Sequence, residues 1–242
     1  MKNKKIRLDK LISQNNLLPE KLILPYIMEG SIFVGGQKAM SRAQLVDEDI
    51  AIEIINTTKK YVGRGGFKLE AALDTFKVNI ENKICVDFGA CTGGFTDVLL
   101  QKGAKKVYSV ETGKHLLADK LRNNEKVINM EDTSIFNIQG FSESIDLSVI
   151  DLSFIPLSHA LTHIKEITQN APIIALLKPH YEAQDESLLR KGIVKDAETR
   201  NLIIEKFQLW LSENGFQTHG YIESPIKGGG GNTEFLFYLI CI

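Results

Sequence analysis

From residue 84 onward, short apolar runs alternate with helical patterns, and this most constrains the fold. The runs are Ile84–Phe88, Lys106–Val110, Val127–Met130, Leu147–Asp151, Ile173–Leu177, Thr218–Ile222 and Phe235–Ile240. Helical periodicity lies between most of them, over Phe95–Lys102, His115–Leu121, Pro156–Thr168 and Thr199–Asn214. Apolar strands separated by helices predict a mostly parallel sheet covered on both faces. Such sheets bind ligands at the carboxyl ends of their strands. Between the last two runs there is only a turn, from Ser224 to Thr233. That pair must be antiparallel, because a parallel crossover needs a longer connection.

Residues 1–58 read as a separate small α+β unit. A helical pattern starts at Arg7-Leu-Asp-Lys-Leu-Ile, and a second covers Pro19–Met28, interrupted by Pro25. Strands follow at Ser31–Val34 and Ile50–Ile55. Residues 59–66 read as a linker, and 67–242 as the large domain, opening with a helix over Phe67–Phe76. Two helices and a small sheet suit a binding module better than an enzyme core. The large domain is then an α/β, Rossmann-like seven-stranded sheet of the methyltransferase kind.

The first strand runs into Asp87-Phe88-Gly89-Ala90-Cys91-Thr92-Gly93-Gly94-Phe95. A glycine-rich strand-to-helix turn lets backbone approach a ligand closely. Glu111 follows the second strand, 22 residues after Gly89. A carboxylate there can accept hydrogen bonds from both ribose hydroxyls of an adenosine. The spacing G-x-x-x-G-G differs from the dinucleotide pattern G-x-G-x-x-G, with Cys91 where the second glycine should approach a pyrophosphate. S-adenosylmethionine has no phosphate and fits better. The candidate cofactor contacts are Asp87, Gly89, Ala90, Cys91, Thr92, Gly93, Gly94, Phe95, Glu111 and Asp151, with Glu131 and Asp132 placed to meet the adenine. The plainer reading of Glu131 and Asp132 is a solvated acidic pair opening a helix.

Asp151 and Lys178 end the fourth and fifth strands, and Glu234 opens the last. Lys68 stands ahead of the first, on the helix opened by Arg64-Gly65-Gly66. One lysine at a strand end is usually a solvated group. Two lysines and two carboxylates at one sheet edge suggest proton chemistry.

The segments YVGRGGFKLEAAL, VDFGACTGGFTDVLL, IDLSFIPL, ALLKPHYE, KGIVKD and SPIKGGGGNTEFLFYL resemble the TlyA family, also called haemolysin A. The likeness runs in order along essentially the whole chain. It implies an S4-like RNA-binding domain joined to an FtsJ/RrmJ-like ribosomal RNA 2′-O-methyltransferase that uses S-adenosylmethionine. The family's Lys-Asp-Lys-Glu tetrad falls on Lys68, Asp151, Lys178 and Glu234. In that chemistry Lys178 would be the base, or would stabilise the alkoxide, of a ribose 2′-hydroxyl. Three departures stand out: Phe88 with Cys91 in the glycine-rich loop, His180 where glutamine is common, and Pro19-Glu20-Lys21 where a basic pair usually opens the second helix.

Residues 1–60 hold ten Lys/Arg and seven Asp/Glu, leaving nineteen and twenty-three for the remainder, so +3 and −4 sum to the net −1. That balance is unlike a non-specific nucleic-acid coater. Contacts with RNA must therefore come from local patches: Arg7 and Lys10; Lys59, Lys60 and Arg64; Arg190 and Lys191. The expected partner is ribosomal RNA, alone or in ribosomal subunits. His159 and His163 are four apart, but Ala160 follows where H-E-x-x-H needs glutamate, so no metal is expected. Three scattered cysteines predict no disulfide framework. No run approaches the roughly 18 apolar residues of a membrane span. A cytoplasmic, reducing setting follows, and a lytic activity has no sequence support. The remaining alternative is an RNA-binding assembly factor without catalysis.

Overall fold

The computed structural model describes residues 5–28, 30–55, 60–183, 185–190, 192–228 and 231–242. In the N-terminal unit, helices Leu8–Gln14 and Glu20–Met28 cover two small antiparallel pairings. Strand Lys5–Arg7 pairs with Leu45–Asp47, and Ile32–Val34 lies between Gln37–Lys38 and Ile52–Ile54. Leu8, Leu11, Ile12, Ile23, Ile27, Ile32, Val34 and Val46 form its own core. The second helix is continuous through Pro25, not interrupted there. A proline costs the helix one amide donor. Buried Ile23 and Ile27 flank it and hold the helix on the core.

The large domain carries seven strands: β1 (Ile84–Phe88), β2 (Lys106–Val110), β3 (Val127–Met130), β4 (Leu147–Ile150), β5 (Ile173–Leu177), β6 (Phe216–Glu223) and β7 (Phe235–Cys241). Their order is β6-β7-β5-β4-β1-β2-β3. The first five are parallel to one another, while β7 runs antiparallel to both β5 and β6. The α/β reading and the closing antiparallel pair are thus borne out. The four main helices are α1 (Gly65–Phe76), α2 (Gly94–Gln101), α3 (Leu157–Ile167) and α4 (Ala197–Glu213). Two cores result, one per sheet face. One gathers Phe88, Val110, Leu161, Phe207 and Phe237 under α3 and α4; the other gathers Leu69, Leu73, Val98, Leu99 and Leu236 under α1 and α2.

Two elements differ from expectation. Helix α1 begins at Gly65, two residues ahead of the sequence boundary. Its first turn lies against the first turn of α2: a Cβ on Gly94 would meet the Gly66 nitrogen at 3.0 Å, and one on Gly66 would lie 2.6 Å from the Tyr61 ring. These glycines provide close approach, which a linker does not require. The helix expected over His115–Leu121 shrinks to Asp119–Arg122, and His115 has φ 56°. Backbone groups of this stretch are hydrogen-bonded by Glu131 instead of by a helical ladder.

Strand β7 anchors the sheet, and Phe237 is fully buried between Phe207, 5.3 Å away, and Tyr221, 4.8 Å away. Phe237→Ala should lower unfolding free energy by about 3–5 kcal/mol in urea denaturation, with a reduced midpoint and an unchanged slope.

Candidate active site

The strand ends converge on one cleft of about 1210 Å³. Its floor is the glycine-rich turn after β1. The amides of Gly89 and Ala90 donate to the Val110 carbonyl at 2.9 and 3.0 Å, which ties this turn to the end of β2. Gly89 has φ 85°, and a Cβ there would lie 2.5 Å from the Asp151 carbonyl oxygen. Only glycine satisfies both constraints. Glu111 stands over the turn, accepting from the Cys91 amide at 2.9 Å and the Gly113 amide at 2.8 Å. Leu116, Ile135 and Phe136 continue this wall. An apolar slot beside a carboxylate at the end of the second strand fits the adenine and ribose of S-adenosylmethionine.

Beneath the turn, Asp87 is fully buried. It accepts from the Thr96 amide at 2.9 Å and the Thr96 hydroxyl at 2.6 Å, so it holds the start of α2 and does not line the cleft. Burial pushes its carboxyl up to about 7 against the relief from Thr96, with Asp151 and Glu111 adding repulsion.

The four charged residues meet at the other end. Lys178 Nζ is 2.6 Å from Asp151 Oδ1 and donates to Ser153 Oγ at 2.8 Å. Lys68 Nζ is 3.8 Å from Asp151 Oδ2 and 2.6 Å from Glu234 Oε2. The charges therefore alternate along one line, Lys178, Asp151, Lys68, Glu234. Burial alone would keep Asp151 protonated, but the two lysines overcome it and hold the carboxyl below its ordinary range. Glu234 is only 2% exposed, so its ion pair with Lys68 is what makes a charge tolerable there. A Cβ on Gly228 would sit 1.9 Å from Glu234 Oε1, so that glycine makes room for the carboxylate.

Ser153 was missed from sequence. Its only signal is its place two residues beyond Asp151, on the same strand end. His180 also borders the cleft, with its ring 4.1 Å from that of Tyr181. Burial, then Lys178 and Lys68, push its imidazole down to about 4, so it is neutral near pH 7.

The outer wall is a further surprise. Leu24, Pro25 and Met40 of the N-terminal unit face the cofactor loop across the same cleft. Arg64 joins the two parts, donating to the Gly30 carbonyl at 2.8 Å.

Several expected site residues lie elsewhere. Glu131 and Asp132, expected at the adenine, are not among the residues that line the cleft. Burial disfavours the Glu131 charge, but hydrogen bonds from Arg122, Leu117, Asn129 and Leu116 win and hold it down at about 2. It braces the 113–117 loop. Asp132 pairs with Lys114 at the surface, 2.9 Å away. Gly93 also sits outside the lining, against Leu117 and Leu121. Of the basic residues, Arg64 reaches the cleft. Arg7 pairs with Asp9 at 2.7 Å, and Lys60 with Glu70 at 2.5 Å. Lys10 and Arg190 are exposed. Lys59 and Lys191 fall outside the described residues. Among the described residues no group of three His, Cys, Asp or Glu side chains could hold a metal. His163 Nε2 lies 2.9 Å from the Ile135 carbonyl oxygen. No helix among them is long and apolar enough to cross a membrane.

A parallel sheet closed by one antiparallel strand, with a glycine-rich loop and a carboxylate at the first two strand ends, defines a Rossmann-like methyltransferase. The FtsJ-like methyltransferase family model matches residues 61–240, and the chain belongs to that family, an S-adenosylmethionine-dependent class. It is 38% identical to Hemolysin A of Brachyspira hyodysenteriae, over 88% of this chain and 90% of that one. It is 32% identical to the 16S/23S rRNA (cytidine-2′-O)-methyltransferase TlyA of Mycobacterium tuberculosis, covering 87% of this chain and 80% of the relative. A solved structure provisionally titled a hemolysin, from Streptococcus thermophilus, superposes with TM-score 0.75 at 34% identity, covering 98% of this chain and 88% of its own.

The raised Asp87 carboxyl has a consequence for stability. In the folded chain it keeps its proton to about pH 7, whereas the unfolded side chain loses it near 3.8. The folded state thus binds more protons in that window, and this group's contribution falls as pH rises through it. Asp87→Asn should remove that part of the decline in Tm, read as the difference between variant and wild type across the window.

Proposed function

We propose that this protein transfers the methyl of S-adenosylmethionine to a ribose 2′-oxygen of ribosomal RNA, with cytidine as the target nucleoside. The observation that carries this reading is the Lys178–Asp151–Lys68–Glu234 line in the cleft that the glycine-rich turn and Glu111 also border. The relative named for ribosomal RNA and cytidine supports the choice of acceptor.

A bound S-adenosylmethionine supplies an electrophilic methyl on a sulfonium. The chain's task is to make a poor nucleophile attack it in line. A ribose 2′-hydroxyl must lose its proton as it attacks. Lys178, with Asp151 and Ser153 fixing its Nζ, either takes that proton as the neutral amine or, as the ammonium, holds the developing negative charge while the proton passes to water. Asp151 keeps the two lysines from repelling each other. Lys68 adds a second positive charge, and Glu234 fixes it. Glu111 would hold the cofactor ribose, and Gly89 would admit its sulfonium side chain close to Asp151. Most of the remaining acceleration is positioning. The N-terminal unit is read as an RNA-binding module that brings Lys21, Met40 and Arg42 to the cleft that would hold the acceptor.

Labelled S-adenosylmethionine and ribosomal subunits lacking the modification test this. Wild type should label a ribose, mapped by primer extension sensitive to 2′-O-methylation. Lys178→Ala should lose about 10²–10⁴-fold in rate while retaining cofactor affinity. Unchanged transfer by Lys178→Ala would remove it from the mechanism. Label on a base nitrogen or carbon would overturn the ribose assignment.

A further inference from the structure

Between β5 and α4 lies a ribbon of two short strands, Leu189–Arg190 and Ile193–Val194, paired antiparallel. Two residues per strand cannot hold themselves together in water, so such a ribbon takes its position from what grips it. Gly192 and Ile193 form part of the cleft wall. The ribbon therefore borders the reaction site while depending on outside support.

Asn232, in the segment between β6 and β7, is 4% exposed. Its Oδ1 accepts from the Val194 amide at 3.2 Å, and its Nδ2 donates to the Gly192 carbonyl at 3.0 Å. One buried side-chain amide thus holds the turn of the ribbon and the start of its returning strand. Both ends of this amide are committed to the ribbon.

The catalytic carboxylate two residues away is secured separately. The Asn232 carbonyl accepts from the Gly228 amide at 2.9 Å, and the Glu234 carbonyl from the Ser224 amide at 2.8 Å. The Glu234 side chain is held by Lys68. Loss of the Asn232 amide would loosen the ribbon, whose buried Val194 still packs against α4, without releasing Glu234.

Exposed Arg190 ends the first ribbon strand at the turn, and exposed Lys195 follows the second at the open end. Exposed cations on a ribbon whose Gly192 and Ile193 line the cleft suit the phosphodiester backbone of a strand whose ribose enters it. We propose that the paired strands Leu189–Arg190 and Ile193–Val194, with Gly192, are a wall of the groove that holds the acceptor RNA strand, and that Asn232 is the positioning residue that keeps them there. This inference rests on the reading of the acceptor as RNA.

Two variants attack the contact from opposite ends. Asn232→Ser removes the amide that bridges the Val194 amide and the Gly192 carbonyl and adds no charge to the cleft. Gly192→Ala strains a turn residue with φ 76° and meets no neighbour within 4 Å. Methyl transfer to unmodified ribosomal subunits gives KM and kcat. Filter binding of the same RNA and calorimetry with S-adenosylmethionine run in parallel.

Each variant should raise KM for RNA and weaken RNA binding about five- to tenfold, the scale of the hydrogen bonding lost. The kcat should stay within about twofold, and cofactor affinity should be unchanged, because neither variant touches the tetrad or the cofactor loop. The double variant should be little worse than the worse single one, because both break one contact. RNA binding unchanged in both variants would overturn the proposal. So would a fall in kcat at constant KM, or effects that multiply in the double variant. If wild type transfers no methyl to the subunits, the functional reading fails, and RNA binding by the variants still decides the ribbon's role.

Discussion

The structure turns on a line of alternating charge, with Lys68 and Glu234 buried and Asp151 and Lys178 half-buried. Asp151 shares its two oxygens between Lys178 and Lys68, and Glu234 closes the far end. None of the four would be tolerable in that position alone. A buried, unpaired carboxylate would take up a proton, and two adjacent ammonium groups would repel. Their mutual neutralisation fixes where β4, β5, β7 and α1 must end or begin. The surrounding packing follows from that need. Gly228 leaves room for a carboxylate, and Gly66 and Gly94 let two helix starts approach closely enough to aim Lys68 at the sheet edge.

Much of this was legible in the sequence, for a definite physical reason. In a parallel sheet the site lies just beyond the strands, so a polar residue ending an apolar run marks it. Asp151 and Lys178 each follow such a run, and Glu111 does so after β2. Glu131 obeys the same rule and nonetheless serves a different purpose. Its environment is set by Arg122 and the amides of Leu116 and Leu117, all in a stretch whose apolar spacing resembled a helix. With the helix confined to Asp119–Arg122, the amides ahead of it need an acceptor, and Glu131 takes those of Leu116 and Leu117. The sequence pattern of 115–121 shows its apolar faces but not this competition.

The outer wall was not legible. Leu24, Pro25 and Met40 belong to a unit with its own core and no periodicity in common with the 89–136 region. Juxtaposition of two separately folded parts leaves no local mark in either. The same holds for Asn232, which in sequence is one polar residue among glycines before a strand. Its two hydrogen bonds depend on a ribbon forty residues earlier in the chain.

Strand β7 inserts antiparallel between β5 and β6, and its first residues carry Glu234 to the edge where the parallel strands finish. Lys68 and Glu234 are 166 positions apart. Contacts that distant close late, after the entropy of a long loop has been overcome. A partly folded chain can therefore assemble the glycine-rich loop and the Lys178–Asp151 pair while Lys68 still lacks its carboxylate. Chemical competence arrives with the final strand, so activity in this enzyme doubles as a report that folding is complete.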